Sequence, residues 1–298
     1  MSTTIKVDVK VKEFKNWSFK SMHITEKVGE SLPTGNIVFL QESDDQDLSI
    51  ESLTIDILIN NTYQLTMKAF VEEVHNYQGQ NNWKLTFVPK SFYMDSHINE
   101  FNGVSGMIQS LCPYDTLNSP ASDCGLGGVK LYQNNVTDFT YIIKYLKALQ
   151  KYQVYSFRCD GLYFTDLTKK PDDNSKINIA GIARYIPLKV RRNKFATLKA
   201  ESAGLNDNSL TNIHYSNQVI AMNSAFAIAY QNYLENQRIY KCLEDTISYE
   251  FPDYMNLRAG DLVKLVGSNY ESNNYLVTEN DLDLQIGIAK NKITFSAI

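Results

Sequence analysis

The sequence predicts an α+β fold that is mainly β, in three stretches. Three observations carry this. Strict polar–apolar alternation fills the first ninety or so residues, helical periodicity and a short hairpin mark the middle, and alternating segments return at the end. With 298 residues the chain exceeds one average domain, and we place its parts at 1–92, 93–185 and 186–298.

Taken in order, Ile5, Val7, Val9 and Val11 alternate with Lys6, Asp8, Lys10 and Lys12, as a half-buried strand requires. "NIVFLQ", "LSIESLTIDILIN", "YQLTMKAFVEEVHNY" and "WKLTFVP" continue the pattern between Gly, Asn, Asp and Pro clusters that suit turns. That spacing predicts an antiparallel barrel or sandwich. After Pro89, a short helix is expected from Asn102 up to Pro113, and "YDTLNSPASDCGLGG" is expected to be a loop. In "VTDFTYIIKYLKALQK" the residues Phe139, Ile142, Ile143, Leu146 and Leu149 recur at helical spacing, with Thr137 or Asp138 as the cap. "YQVYSFRCDGLYFTDL" reads as a hairpin turned at Asp160–Gly161 in a type I′ geometry. "NSAFAIAYQNYLENQRIY" reads as a second helix entered at Asn223. Strands then close the chain, the last hairpin being expected to turn between Ala289 and Asn291. Lys292-Ile293-Thr294-Phe295 echoes Lys84-Leu85-Thr86-Phe87, a weak internal repeat.

Composition and motifs exclude more than they assign. A hydrophobic fraction of 43% argues against disorder, and a formal charge of −4 removes any bulk pull toward nucleic acid or anionic membrane. The N-terminus has no apolar core of the kind that directs secretion, and no stretch is long and apolar enough to span a bilayer. Cys112, Cys124, Cys159 and Cys242 form no C-x-x-C pair, and His23, His75, His97 and His214 show no zinc-hydrolase spacing, so no metal and no cofactor is expected. "ESDDQD" lacks the glycine and terminal glutamate of a calcium loop, and "SDCGLGG" lacks the Gly-Lys-Ser/Thr ending of a phosphate loop. Ser105, Ser122 and Cys124 stand in no nucleophile elbow, so no catalytic residue is assigned. "KVRRNK" is read as a solvated or inter-subunit face, and the sequons at Asn16, Asn60 and Asn135 carry no meaning without export. The 19 tyrosines and 14 phenylalanines fit a protein rich in interfaces.

The series of segments resembles the tail baseplate hub family of contractile-tailed phages, which includes the late-control D proteins and the N-terminal part of VgrG spike proteins. The family's Ser/Thr-Asp-x-x-Phe-like helix start is matched by Thr137, Asp138 and Phe139, and its small hairpin by Gly161 and Phe164 within Leu162–Asp166. Near the end, Leu257, Gly260-Asp261 and Tyr275-Leu276-Val277 match a leucine, a Gly-Asp turn and a Tyr-hydrophobic-Val strand.

The resemblance implies two antiparallel barrels like the tail-tube protein, joined by a small α/β middle region. It makes Asp138, Phe139, Gly161, Phe164, Gly260, Asp261, Tyr275 and Val277 structural positions, with "AGD" a corner that starts a barrel strand. It further implies a non-enzymatic homotrimeric hub in the virion tail, made in the host cytoplasm. Its partners would be the tail tube protein, a spike or tail-tip protein and the tape-measure protein, with DNA only as passing cargo and no membrane. VgrG proteins continue into further domains, so the spike is expected to be a separate protein. Two competitors stay open: the hub of a type VI-like secretion or injection device, and a β-rich glycan-binding or adhesin-type protein. A hydrolase with a site built from scattered residues is the weakest reading.

Overall fold

The computed structural model describes residues 5–41, 49–113, 116–117, 128–150, 152–172, 175–179, 184–186, 203–204, 210–215, 218–243, 246–267 and 274–298. The first stretch holds β1 (Val7–Val11), β2 (Trp17–Lys27), β3 (Thr34–Gln41), β4 (Ser52–Ile59), β5 (Thr62–Tyr77) and β6 (Gln80–Thr86). Then come α1 (Lys90–Tyr93), β7 (Ser96–Asn102), α2 (Gly103–Leu111), β8 (Thr116–Leu117), β9 (Lys130–Thr137), α3 (Asp138–Leu146), β10 (Gln153–Arg158) and β11 (Gly161–Asp166). The remainder holds β12 (Lys176–Asn178), β13 (Arg184–Ile186), β14 (Ala203–Gly204), β15 (Leu210–Tyr215), β16 (Gln218–Asn223), α4 (Ser224–Cys242), β17 (Thr246–Phe251), β18 (Leu262–Val266), β19 (Asn274–Gln285) and β20 (Ile288–Ala297). The segments "ESDDQD", "SDCGLG" with Ser122 and Cys124, and "KVRRNK" lie outside the described residues.

One sheet passes through both ends of the chain, in the order β1, β4, β5, β6, β3, β2, β19, β20, β17, β13. Its seam is the antiparallel ladder of β2 on β19, Ser21–Lys27 against Gln285–Glu279. Beyond that ladder β19 changes partner, and its first residues pair with β18, whose other edge takes β12 in parallel. The sheet therefore curls twice. Around the first curl, Met22, Ile24, Ile37, Trp83, Leu85 and Leu284 form one core; around the second, Val263, Leu265, Tyr275, Val277, Ile293 and Phe295 form another. Each such fully buried apolar side chain contributes about 1.5–3 kcal/mol.

The mainly β α+β class is as expected, while the two barrels are realised as curled half-barrels. β1 comes back against β2 around a shared core, but no hydrogen-bonded ladder joins them among the described residues. The pair β12–β18 is parallel, against the expectation of a purely antiparallel second barrel, and in the middle region β11–β8 is parallel too.

Turn chemistry corrects two positions. The hairpin β10–β11 turns at Cys159–Asp160, with Arg158 paired to Gly161, and neither loop residue has a left-handed backbone, so the turn is not type I′. The last hairpin turns at Ile286–Gly287, because Ala289 and Asn291 are buried strand residues and Asn291 donates to Asn280 Oδ1 at 2.9 Å. That shift strengthens the internal echo. Gly79 and Gly287, both at φ +76, now sit at the two hairpin turns, each eight residues before the phenylalanine that ends its motif. Each hairpin also carries a bulge on its first strand, at Glu72 and at Thr278. The sequon residues Asn16 and Asn60 are left-handed residues between strands, and Asn135 is the left-handed residue of a bulge in β9, a conformation asparagine tolerates.

The helices pack over β10 and β11. Thr137 caps α3 by accepting from the Thr140 N–H at 3.1 Å, and Phe139 meets Phe92 and Phe157 edge-on. The C-terminal end of α3 is satisfied from α4. Asn236 donates to the carbonyls of Lys147 and Gln150, at 2.7 and 2.6 Å, and Asn232 donates to that of Ala148 at 3.1 Å. Ala227 and Ala229 are the buried small residues that let α4 approach.

Candidate functional site

Among the described residues, the most densely bonded polar site is the corner before β18, where three remote segments meet. Gly260, at φ +91, donates its N–H to the Val277 carbonyl at 2.7 Å, and Val277 N–H returns a bond to the Asp261 carbonyl at 2.9 Å. Asp261 closes its own turn, with Oδ2 accepting from Arg258 N–H at 2.8 Å. The chain can bend here because glycine occupies the left-handed position.

Hairpin β10–β11 grips this corner from one side. Arg158 donates from Nε to the Ala259 carbonyl at 2.7 Å and from Nη2 to Asp261 Oδ1 at 2.8 Å, while its guanidinium lies 3.8 Å from the Tyr163 ring centre. The Ser156 hydroxyl donates to Ala259 O and the Thr165 hydroxyl to Gly260 O, at 2.9 and 2.7 Å. From the other side comes β2. Arg258 donates from Nε to Glu26 Oε2 at 2.7 Å, from Nη2 to Glu26 Oε1, and from Nη2 to Asp160 Oδ1 at 2.9 Å. Glu26 Oε1 also accepts from Cys159 N–H at 2.9 Å.

Electrostatics make this a lock. Burial alone pushes the Glu26 carboxyl up, but the Arg258 guanidinium and the Cys159 N–H outweigh it and hold the group below the usual carboxylate range. Arg258 is likewise penalised by burial and held further charged by Glu26. Burial raises the Cys159 thiol well above its ordinary value, which leaves it protonated and inert. A carboxyl held this firmly ionised serves an ion pair, since a general acid near neutral pH needs the opposite shift.

Gly161, Gly260 and Asp261, predicted from sequence, are brought together through Arg158. Tyr275 and Val277 fill the second core behind the corner, and Phe164 with Phe139 fills the core under the helices. Asp138 stands apart, accepting from His97 Nδ1 at 2.8 Å and from Gln133 Nε2 at 2.7 Å. Sequence reading missed Glu26, Arg158 and Arg258. A signal for the first was present: Glu26 follows Met22 and Ile24 at the inward positions of an alternating strand, where a charge demands a partner.

A second polar cluster crosses the seam on the outer face of the sheet. His23 Nδ1 lies 2.6 Å from Asp283 Oδ1, and the Thr25 hydroxyl donates to Asp281 Oδ1 at 2.7 Å. The Asp283 hydrogen bond raises the His23 pKa above its ordinary value, burial opposing it in part. Among the described residues no three His, Cys, Asp or Glu side chains are grouped to hold a metal ion, and no helix is long and apolar enough to cross a membrane.

Fold and site together define a β scaffold, two half-barrels on one sheet pinned by a buried ion-pair cluster. Solved structures match the fold nearly end to end. A 43 kDa tail protein of prophage MuSo2 from Shewanella oneidensis is 12% identical, with 97% of this chain and 96% of that one covered at a TM-score of 0.61. A tail protein from Neisseria meningitidis MC58 is 10% identical, with 99% and 96% covered at 0.60. The E. coli c3393 protein, a component of the type VI secretion system with structural similarity to the T4 tail proteins gp27 and gp5, is 10% identical, with 98% and 77% covered at 0.58. No family model and no curated protein matches the sequence. The resemblance to tail hub proteins read from the motif series thus holds at the level of the fold.

Proposed function

We propose that the chain is the structural hub of a phage tail baseplate or tail tip, a homotrimeric adaptor that joins the six-fold tail tube to a spike or tip protein. The observation that carries this reading is the match in fold to whole tail proteins, covering 96% of two of them. Duplicated half-barrels supply the logic. Three chains with two half-barrels each present six similar units to a six-fold tube. The corner lock between β2, the β10–β11 hairpin and β18 keeps the two units in one orientation, as a symmetry adaptor needs.

In this reading the protein performs no catalysis and binds no cofactor. Exposed strand edges and aromatic side chains supply the contacts to tube, spike and tape-measure proteins. DNA passes without being recognised, and the site of action is the virion tail. A second reading, the hub of a type VI-like secretion or injection device, is favoured by the fold shared with the c3393 protein.

Native mass spectrometry over a concentration series, with negative-stain imaging of the heaviest species, tests the proposal. Trimeric rings with a central opening and a pseudo-six-fold outline are expected. A monomer that stays monomeric at every concentration and in the presence of tube and spike proteins would sink it.

A further inference from the structure

The long sheet repeats itself along its width. Strands β5, β6, β3 and β2 are followed in the same sheet by β19, β20, β17 and β13. The registers coincide as well. Asn36 pairs with Lys84 and Ile37 with Trp83 in the first set, as Glu250 pairs with Lys292 and Phe251 with Asn291 in the second. On the next strand over, His23, Ile24 and Thr25 of β2 stand against β3 where Arg184, Tyr185 and Ile186 of β13 stand against β17.

One pair of counterparts differs in what covers it. The first residues of β19 pair with β18, and the same outer edge from Glu279 to Gln285 is covered by β2. Its counterpart β5 pairs with β4 in the matching register, Thr54 on Lys68 as Leu262 on Leu276, but from Glu72 to Tyr77 that edge has no strand partner among the described residues. Glu73, His75, Asn76 and Tyr77 are exposed there. The hairpin turns through left-handed Gln78 and Gly79, which makes Tyr77–Gln80 a hydrogen-bonded pair. Alternation then leaves the N–H and C=O groups of Val74 and Asn76 facing the open edge. At the far end of the sheet, β13 pairs with β17 alone among the described residues, so its outer edge is open too. That edge is the counterpart of the one by which β2 holds β19.

Two complementary edges therefore lie at separate places in one sheet and do not meet within a chain. A row of unpaired N–H and C=O groups is a template for another strand, and the seam between the two units shows which strand fits. We propose that the open edge of β5 takes β13 of a second copy of this chain, antiparallel and in the register of the β2–β19 seam. At that seam Asp281 faces Thr25, Leu282 faces Ile24 and Asp283 faces His23. The joint between copies accordingly sets Glu73 opposite Ile186, Val74 opposite Tyr185 and His75 opposite Arg184. Glu73 and Arg184, of opposite charge, become diagonal neighbours, and Val74, which packs on the first core, takes the position of Leu282. The inference rests on the hub reading for the number of copies, and adds to it the strands, direction and register of their contact.

Cross-linking of the full chain tests it. Facing residues of a non-hydrogen-bonded antiparallel pair stand about 4.5 Å apart at Cα, within the span of a disulfide. Chains carrying His75→Cys and chains carrying Arg184→Cys, co-expressed and mildly oxidised, are expected to give a linked dimer that neither variant gives alone and that wild type, with its own cysteines, does not give. Tyr77→Cys with Ile186→Cys, out of register, is expected to give none. On the unsubstituted chain, amide exchange at Val74 and Asn76 is expected to slow on assembly, a reading that no folding defect of a variant can affect. Rings that show neither link nor protection overturn the joint and leave the hub reading standing. So does an out-of-register pair that links equally well, or protection that appears only when another protein is added. A link within an assembly of some other copy number keeps the joint and overturns the three-fold hub. A chain that stays monomeric with tube and spike proteins present overturns both.

Discussion

Arg258→Met cuts the centre of the corner lock. Glu26 is 2% exposed and Arg258 supplies both of its side-chain hydrogen bonds, so the substitution leaves a buried carboxylate with the Cys159 N–H as its remaining hydrogen bond and the charge of Arg158 nearby. Removing one partner of a buried ion pair costs about 3–5 kcal/mol. Asp160, the other partner, is 30% exposed in its side chain and regains water, so it adds little. Urea unfolding followed by fluorescence reads the loss as a lower midpoint at constant slope. The double variant E26Q/R258M removes both charges while glutamine keeps an acceptor for Cys159, and it is expected to recover most of the loss.

Acid separates the terms. The Glu26 carboxyl lies lower in the folded chain than its unfolded value of 4.5, so its contribution is complete above that pH and fades as pH falls through the folded value. The stability gap between wild type and E26Q/R258M therefore shifts against wild type on acidification. An Arg258→Met variant within about 0.5 kcal/mol of wild type, the range of ordinary surface substitutions, would refute the lock as a source of stability. So would a double variant no more stable than the single one.

Three further outcomes follow from the same geometry. Gly260→Ala puts a Cβ at φ +91 and 2.9 Å from Ser156 Oγ, which is expected to cost about 1–3 kcal/mol in the same unfolding assay. Asn236→Ala strips the donors from the Lys147 and Gln150 carbonyls, and about 1–3 kcal/mol of lost stability with faster hydrogen exchange in residues 147–153 is expected. His23 is raised above 6.5 by Asp283, so its stabilising contribution is complete below 6.5 and is lost as pH rises through the folded value. Asp283→Asn is expected to bring the His23 titration, followed by NMR, back toward 6.5 and to remove that pH dependence.

Much of the fold was legible in single residues. The alternation of Val7 and Val9 with lysine and aspartate predicted β1, Thr137 or Asp138 was expected to cap α3 and Thr137 does so, and Asn223 marked the entry to α4, because propensity, capping and face periodicity act within a few residues. The hairpin turn near Ala289 was misplaced for a physical reason. Asn291 has a turn residue's chemistry, but its amide is satisfied inside the strand by Asn280 and Met255 N–H, and only the tertiary fold supplies those partners. The corner at Gly260–Asp261 was legible as a corner. What grips it was not, since Arg158 lies about a hundred residues away and Glu26 more than twice as far.

By itself the sequence determined the strands of the first stretch, the helices α2 to α4 and the corner at Gly260–Asp261, and a series of motifs whose order pointed to the tail-hub fold. Only the tertiary structure decided that both ends of the chain share one sheet through β2 and β19, that the expected barrels are half-barrels, and that Glu26, Arg158 and Arg258 form a single lock. Backbone preference and turn chemistry act over neighbouring residues and leave their mark on local pattern. Strand partners and ion pairs are chosen by burial and hydrogen-bond satisfaction across the whole chain, and a charged residue in a strand is the same letter whether water or a buried guanidinium answers it.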